Sequence, residues 1–213
     1  MSIGILGAGN MGRSISTQLG KTGERVVLAD RDPAKAEAVV AEIGAGDVGA
    51  AGMDDALASD VIVLALWYPI TIEFAREHAA ELRGKVVVDI SNPVDESWTR
   101  LATDPSTSSA ELLAEALPES RIVKAFNTTH APALVDGQVD EVPLDVLLAS
   151  DDDAAKSQVS ELVRAAGLRP IDAGALDNAR LLERLTAFQI ELNQRYDLGF
   201  RLTFKLLPAE LPK

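Results

Sequence analysis

The sequence predicts an α/β fold: a doubly wound, mostly parallel sheet with a small C-terminal helix-strand appendage. Two observations predict it. Short runs of nearly continuous Val, Ile and Leu alternate with helix-like segments over most of the chain, which is the pattern of strands buried on both faces by crossover helices. From about residue 176 the pattern changes to one long amphipathic segment and an alternating one. Residues 1–175 therefore read as the main domain and 176–213 as the appendage. With 213 residues, 47% of them hydrophobic, the chain can bury one large core.

In chain order, the first strand runs from Ile3 to Leu6 and is followed by the glycine turn Gly7-Ala8-Gly9-Asn10-Met11-Gly12 and a helical pattern. A second strand spans Arg25 to Ala29. Asp32-Pro33 then supplies an N-cap and a proline at the first helical position. Asp47 to Ala50 is a weaker strand, and Asp60 to Leu66 and Lys85 to Ile90 are strong ones. Ser108 to Glu111 has capping-box spacing before an apolar run, and Arg121 to Phe126 is the next strand. Val142 to Ala149 and Arg169 to Ile171 are weaker candidates. From Asn178, Leu181, Leu182, Leu185, Phe188 and Leu192 recur at helical spacing and predict a helix of about five turns with one apolar stripe. In "FRLTFKLL", Phe200, Leu202, Phe204 and Leu206 alternate with Arg201, Thr203 and Lys205, the period of a half-buried strand.

The glycine turn matches G-x-G-x-x-G. Its first glycine permits a tight turn, its second lets a pyrophosphate approach the backbone, and its third lets the helix pack on the strand. Phosphate would then sit on unpaired N–H groups at the helix N-terminus, with no need of a basic side chain. A strand precedes the turn, a helix follows, and Asp30 stands at the end of the second strand, 18 positions after Gly12. That context marks residues 1–175 as a dinucleotide-binding domain. The nucleotide is left open. Asp30 suits the ribose hydroxyls of NAD, whereas Arg31 and Lys35 suit the 2′-phosphate of NADP or else form a solvated helix start.

Charge and composition narrow the partners to small molecules. A net charge of −13 argues against nucleic acid and anionic membrane surfaces. The absence of cysteine excludes disulfides and thiolate chemistry, no apolar run reaches the roughly 18 residues of a membrane span, and no secretory leader is evident, so a cytoplasmic protein is expected. No Tyr-x-x-x-Lys pair is present, and the two histidines, His78 and His130, lack metal-ligand spacing. With no metal site and no catalytic side chain evident, the chemistry points to hydride transfer between two stacked rings, nicotinamide and a flavin-like acceptor, driven by placement. Three loops follow core strands where such rings would lie: Trp67-Tyr68-Pro69, Ser91-Asn92-Pro93 and Asn127-Thr128-Thr129-His130. Trp67 and Tyr68 read equally as a rim packing pair or the wall of a planar pocket.

The glycine turn, "DISNPVD", "SSAELLAEALP", "RIVKAFNTT" and "GLRPIDAGALDNARLLERLT" resemble the coenzyme F420-dependent NADP oxidoreductase family, whose nucleotide domain is shared with the STEAP metalloreductases. The resemblance covers nearly the whole chain. It implies a Rossmann domain, a small C-terminal portion, a homodimer, and hydride exchange between NADPH and the deazaflavin of coenzyme F420. By position it implies Gly7, Gly9, Asn10, Met11 and Gly12 at the pyrophosphate and Arg31 and Lys35 at the 2′-phosphate. Leu66, Trp67, Asn92, Pro93, Asn127 and Thr128 fall on the nicotinamide side, and the tail around Leu206 and Leu207 at the deazaflavin cleft. His130 joins them as a second-substrate candidate. Asp30 stands where the family carries serine or threonine, so NAD stays beside NADP as a candidate. Two other functions fit the same residues: a pyrroline-5-carboxylate reductase-like imine reductase, which shares the opening "IGILGAGNMGRSI", and an NAD(P)-sensing module without turnover.

Overall fold

A computed structural model describes residues 1–44, 46–68, 70–95, 98 and 100–208; Pro69 of the loop after the fourth strand lies outside them. Six strands form the central sheet: β1 (Ser2–Leu6), β2 (Arg25–Ala29), β3 (Val48–Ala50), β4 (Val61–Leu64), β5 (Val86–Asp89) and β6 (Arg121–Lys124). All their pairings are parallel and the order is β3-β2-β1-β4-β5-β6. The order reverses between β1 and β4, which opens a crevice above the carboxyl ends of those strands.

Because successive strand residues face opposite ways, each strand feeds two cores. On one face Ile3, Ile5, Val26, Leu28, Val61 and Val63 pack with α1 (Asn10–Leu19), α2 (Pro33–Ile43), α7 (Ala131–Asp136) and α8 (Asp153–Ala165). On the other, Leu6, Val27, Ile62, Leu64 and Val87 pack with α3 (Met53–Leu57), α4 (Ile70–Glu77), α5 (Ala79–Leu82) and α6 (Ser109–Ala116). The helix starts read from the sequence are in place. The Asp32 side chain accepts from Ala34 N with Pro33 in the first turn, and the Ser108 hydroxyl caps α6 at Glu111 N.

The later strands differ from expectation. The run from Val142 to Ala149 divides at Pro143, which cannot donate to a ladder on both sides. β7 (Gln138–Val139) and β8 (Val142–Pro143) form a small antiparallel pair, while β9 (Asp145–Leu148) pairs in parallel with β10 (Arg169–Asp172) as a separate two-stranded sheet. A bridge between Lys124 and Ala149 joins that pair to β6.

The appendage contains the expected five-turn helix, α9 (Ala179–Tyr196), but its faces are not those of a simple apolar stripe. Leu181 and Phe188 are exposed, while the buried face mixes Leu182, Ala187 and Ile190 with Glu183, Thr186, Gln189 and Asn193. Glu183, Thr186 and Gln189 are buried there because they meet Lys124, Asn127 O and Thr128 O at the end of β6 and its following loop, and Asn193 Oδ1 accepts from Phe200 N of the tail. The predicted C-terminal strand is a correction: among the described residues, 201–206 form no sheet pairing. The tail is instead fixed by side chains. Leu206 N donates to Asp145 Oδ2 at 2.9 Å, Lys205 pairs with Asp145, Arg169 donates to Leu206 O at 2.7 Å, and Arg201 pairs with Asp136 at 2.6 Å. Phe204, 39% exposed and stacked on Phe188, lacks the covering layer that a half-buried strand requires.

Candidate functional site

The glycine turn closes the first strand onto α1 by contacts that only glycine allows. Gly7 adopts φ +107°, and a Cβ there would lie 2.5 Å from Ala65 O; a Cβ on Gly12 would lie 1.8 Å from Gly7 O. These two glycines are buried in the turn and shape it. Gly9 is different, because a Cβ there would meet nothing within 4 Å. It opens on the crevice as the N-cap of α1, whose first turn carries no acidic residue. The first helical amide to bond back is Arg13 N, to Gly9 O at 2.9 Å. The amides of Asn10, Met11 and Gly12, which precede it in the first turn of the helix, have no helical carbonyl to bond and can meet an anion.

Asp30 is turned into this corner. Its carboxylate accepts from Ala8 N at 2.8 Å and from Asp32 N at 3.1 Å, with Lys35 Nζ at 3.4 Å. Burial would raise its pKa, but the amide hydrogen bonds and the Lys35 charge outweigh this and hold it below the usual carboxylate range. Asp30 therefore braces the glycine turn as a fixed anion. Arg31 is exposed beside it.

One cavity of about 650 Å³ joins most of the candidates. Its wall includes Gly9, Asn10, Met11, Lys35, Leu66, Trp67, Asn92, Asn127 and His130. Gly7, Gly12, Asp30, Arg31, Pro93, Thr128, Leu206 and Leu207 are not on that wall. Leu206 and Leu207 are 46% and 75% exposed, outside the crevice, because the tail is pinned to Asp145 and Arg169. The tail residue on the wall is Phe200, whose ring lies 5.3 Å from that of His130. Sequence reasoning also missed Trp98, which meets Trp67 edge-on with centroids 4.9 Å apart and lines the same cavity.

The loops after β5 and β6 lock one another. Asn92 Nδ2 donates to Asn127 O at 3.0 Å, Asn127 Nδ2 donates to Asn92 Oδ1 at 3.1 Å, and the Thr186 hydroxyl of α9 donates to Asn127 O at 2.9 Å. Phe126 takes φ +60° at the turn into this loop, a strained conformation for a bulky residue. Three buried side-chain atoms of the loop have no hydrogen-bond partner among the described residues: Asn127 Oδ1, Thr128 Oγ1 and His130 Nε2. A buried polar atom left unpaired costs about 1–3 kcal/mol, so those of Asn127 and His130, on the cavity wall, fit a ligand with polar edges. Burial pushes the His130 pKa down to about 4, so at neutral pH its imidazole is uncharged and offers hydrogen bonding rather than charge.

A polar cluster stands behind the wall. Lys124 Nζ, fully buried, lies 2.8 Å from Asp89 Oδ2, 2.8 Å from Glu183 Oε1, 2.6 Å from Ser91 O and 2.9 Å from Ser109 Oγ. Burial alone would lower the lysine pKa, but the two carboxylates overcome it and hold the ammonium charged. The signal in the sequence was a lysine inside the apolar run "RIVKAF"; its partners lie 35 residues before it and 59 after.

The cradle thus fits a dinucleotide, and among the described residues no group of three or more His, Asp or Glu side chains is placed to hold a metal ion. Gly9→Val should keep the fold, since its Cβ position is open, yet weaken nucleotide binding by more than about tenfold, or ~1.4 kcal/mol, by filling the approach to the helix amides. An unchanged dissociation constant in a fluorescence titration contradicts this assignment.

Comparison with known proteins follows the same lines. The family model for coenzyme F420-dependent NADP oxidoreductases matches residues 2–93. The F420-dependent NADP reductase of Methanocaldococcus jannaschii is 32% identical over 222 residues, covering 95% of this chain and 98% of that protein. A provisionally assigned F420-dependent NADP-reductase of Arthrobacter sp. FB24, solved by crystallography, superposes with a TM-score of 0.84 at 30% identity, covering 97% of this chain and 99% of that one. Metalloreductase STEAP3 of Rattus norvegicus is 35% identical over 191 residues, 86% of this chain but 36% of that longer protein.

Proposed function

Since the chain belongs to the coenzyme F420-dependent NADP oxidoreductase family, we propose that its crevice between β1 and β4 exchanges hydride between NADPH and the deazaflavin of coenzyme F420. The observation that carries this reading is the single cavity with a helix N-terminus at one end and the Trp67-Trp98 and His130-Phe200 pairs at the other. Among the described residues its ionisable wall groups are Lys35, Tyr68 and His130. Such a wall suits a reaction governed by orientation.

When bound, the reduced nicotinamide supplies the hydride and the deazaflavin takes it. The chain's part is to hold and shield. Gly9, Asn10 and Met11 present backbone to the pyrophosphate, with Gly7 and Gly12 giving the turn its shape. Leu66, Trp67, Asn92 and Asn127 border the nicotinamide, with Asn127 Oδ1 free to accept from its carboxamide, and Pro93 and Thr128 support these residues from behind. His130 and Phe200 face the second ring and exclude water from it. The imine reductase and sensing alternatives lack support of this kind, because the family likeness runs the length of the chain.

The finer assignments rest on the same site. Residues 1–175 form the dinucleotide-binding domain, and residues 176–213 complete the second-substrate cleft and contribute, through exposed Leu181, Phe188, Leu206 and Leu207, to a homodimer. No helix of the described residues is long and apolar enough to cross a membrane, and a chain without cysteine suits the reducing cytoplasm. Thermal shift with NADPH, NADH, deazaflavin and FMN tests the function: stabilisation by NADPH and by the deazaflavin is expected, and stabilisation by neither overturns it.

Nucleotide choice follows from the braced Asp30. Arg31 and Lys35 are the cations available to a 2′-phosphate, and Asp30 draws on Lys35. Asp30→Ser frees that ammonium and removes a carboxylate, so the NADPH to NADH affinity ratio should rise about fivefold or more; Arg31→Ala should lower it similarly. Ratios unmoved in both variants contradict this reading.

A further inference from the structure

The Lys124 cluster carries an uncompensated charge against the wall of the crevice. Asp89 Oδ1 accepts from Ser91 N at 2.9 Å, and Asp89 Oδ2 faces Lys124 Nζ at 2.8 Å. Glu183 Oε1 accepts from Ser109 N at 3.0 Å, from Ser109 Oγ at 2.6 Å and from Lys124 Nζ. Each carboxylate is thus ringed by donors. One ammonium against two carboxylates leaves one net negative charge, and all three side chains are fully buried. The neighbouring Glu111–Arg180 ion pair between α6 and α9 neutralises itself.

Stability does not explain this arrangement, since a buried ion cluster is commonly no better than apolar side chains of the same volume. Its position does. Lys124 holds the carbonyl of Ser91, which lines the cavity beside Asn92, and Glu183 sits one helical turn before Thr186, which also lines it. The negative charge therefore lies one residue behind the loops assigned to the nicotinamide. A nicotinamide ring is cationic when oxidised and neutral when reduced, so a fixed negative charge discriminates between the two forms.

We propose that the buried Asp89–Lys124–Glu183 cluster is an electrostatic device that makes the crevice bind oxidised nicotinamide more tightly relative to reduced. The inference rests on the nicotinamide assignment made above. Its consequence is directional. Hydride leaves the reduced ring with both bonding electrons and leaves that ring cationic, so a site that favours the cation makes the bound reduced nucleotide a stronger donor. Asp89 and Glu183 act here as positioning and field-setting residues, because neither lines the cavity.

The test is a pair of dissociation constants, for NADP+ and for NADPH, measured by titration on the full chain and on Glu183→Gln and Asp89→Asn. In Glu183→Gln the amide oxygen can keep the place of Oε1, with its three donors, so the geometry survives while one charge is lost. Removing a unit charge at an effective dielectric of about 20 should raise the ratio of the NADP+ to the NADPH constant roughly three- to tenfold in each variant. A merely structural role would weaken both nucleotides together and leave the ratio unchanged, which overturns the proposal. A wild-type chain that binds neither nucleotide overturns the assignment beneath it, and the proposal with it.

Discussion

Lys124→Met should lower the stability of the fold by about 3–5 kcal/mol. Methionine matches the lysine stem but leaves Asp89 and Glu183, both fully buried, facing each other without a cation, and breaking a buried ion cluster costs about that much. The loss should appear in chemical denaturation as a lower midpoint at unchanged slope. Replacing all three members, as Lys124→Met with Asp89→Asn and Glu183→Leu, should restore part of it by removing the unpaired charges. A single variant within about 1 kcal/mol of wild type would contradict the burial and pairing described for the cluster.

The second large effect concerns the tail. Removing all residues after Tyr196 takes away Phe200, the ring against His130, together with the segment clipped by Asp145, Arg169 and Asp136. The glycine turn and the Asn92-Asn127 lock do not depend on that segment. Nucleotide affinity should therefore stay within about threefold of wild type, while hydride transfer to the second substrate is abolished because one wall of its cleft is gone. Full turnover by the shortened chain contradicts the role given to the tail, and light scattering that finds the intact chain monomeric contradicts the homodimer.

How far these features could be read from the sequence varies with the range of the interactions involved. The glycine turn, the Asp32 and Ser108 caps and the apolar strands were legible because each is set by neighbours within a few residues. The role of Asp30 was only half legible: its place after β2 follows from spacing, but its hydrogen bond to Ala8 N joins residues 22 apart. The tail misled because alternation in "FRLTFKLL" matches a strand, yet a strand needs a partner edge, and the tail meets side chains of β9 and β10 instead. Glu183 and Thr186 were hidden behind the leucines of α9. Helical spacing shows which residues share a face, but not that the buried face of α9 carries Glu183, Thr186, Gln189 and Asn193 among its apolar residues.

The central claim is direct hydride transfer within one crevice, and an isotope experiment reaches it most directly. The intact chain is mixed with NADPH deuterated at the nicotinamide C4 and with oxidised deazaflavin in ordinary water, and the reduced deazaflavin is recovered for mass spectrometry. Passage of deuterium to the deazaflavin from one of the two C4 epimers, with the other epimer keeping its deuterium on the oxidised nicotinamide, is the result expected. Reduced deazaflavin without deuterium from either face of the labelled nucleotide, or no reduction at all, would contradict it.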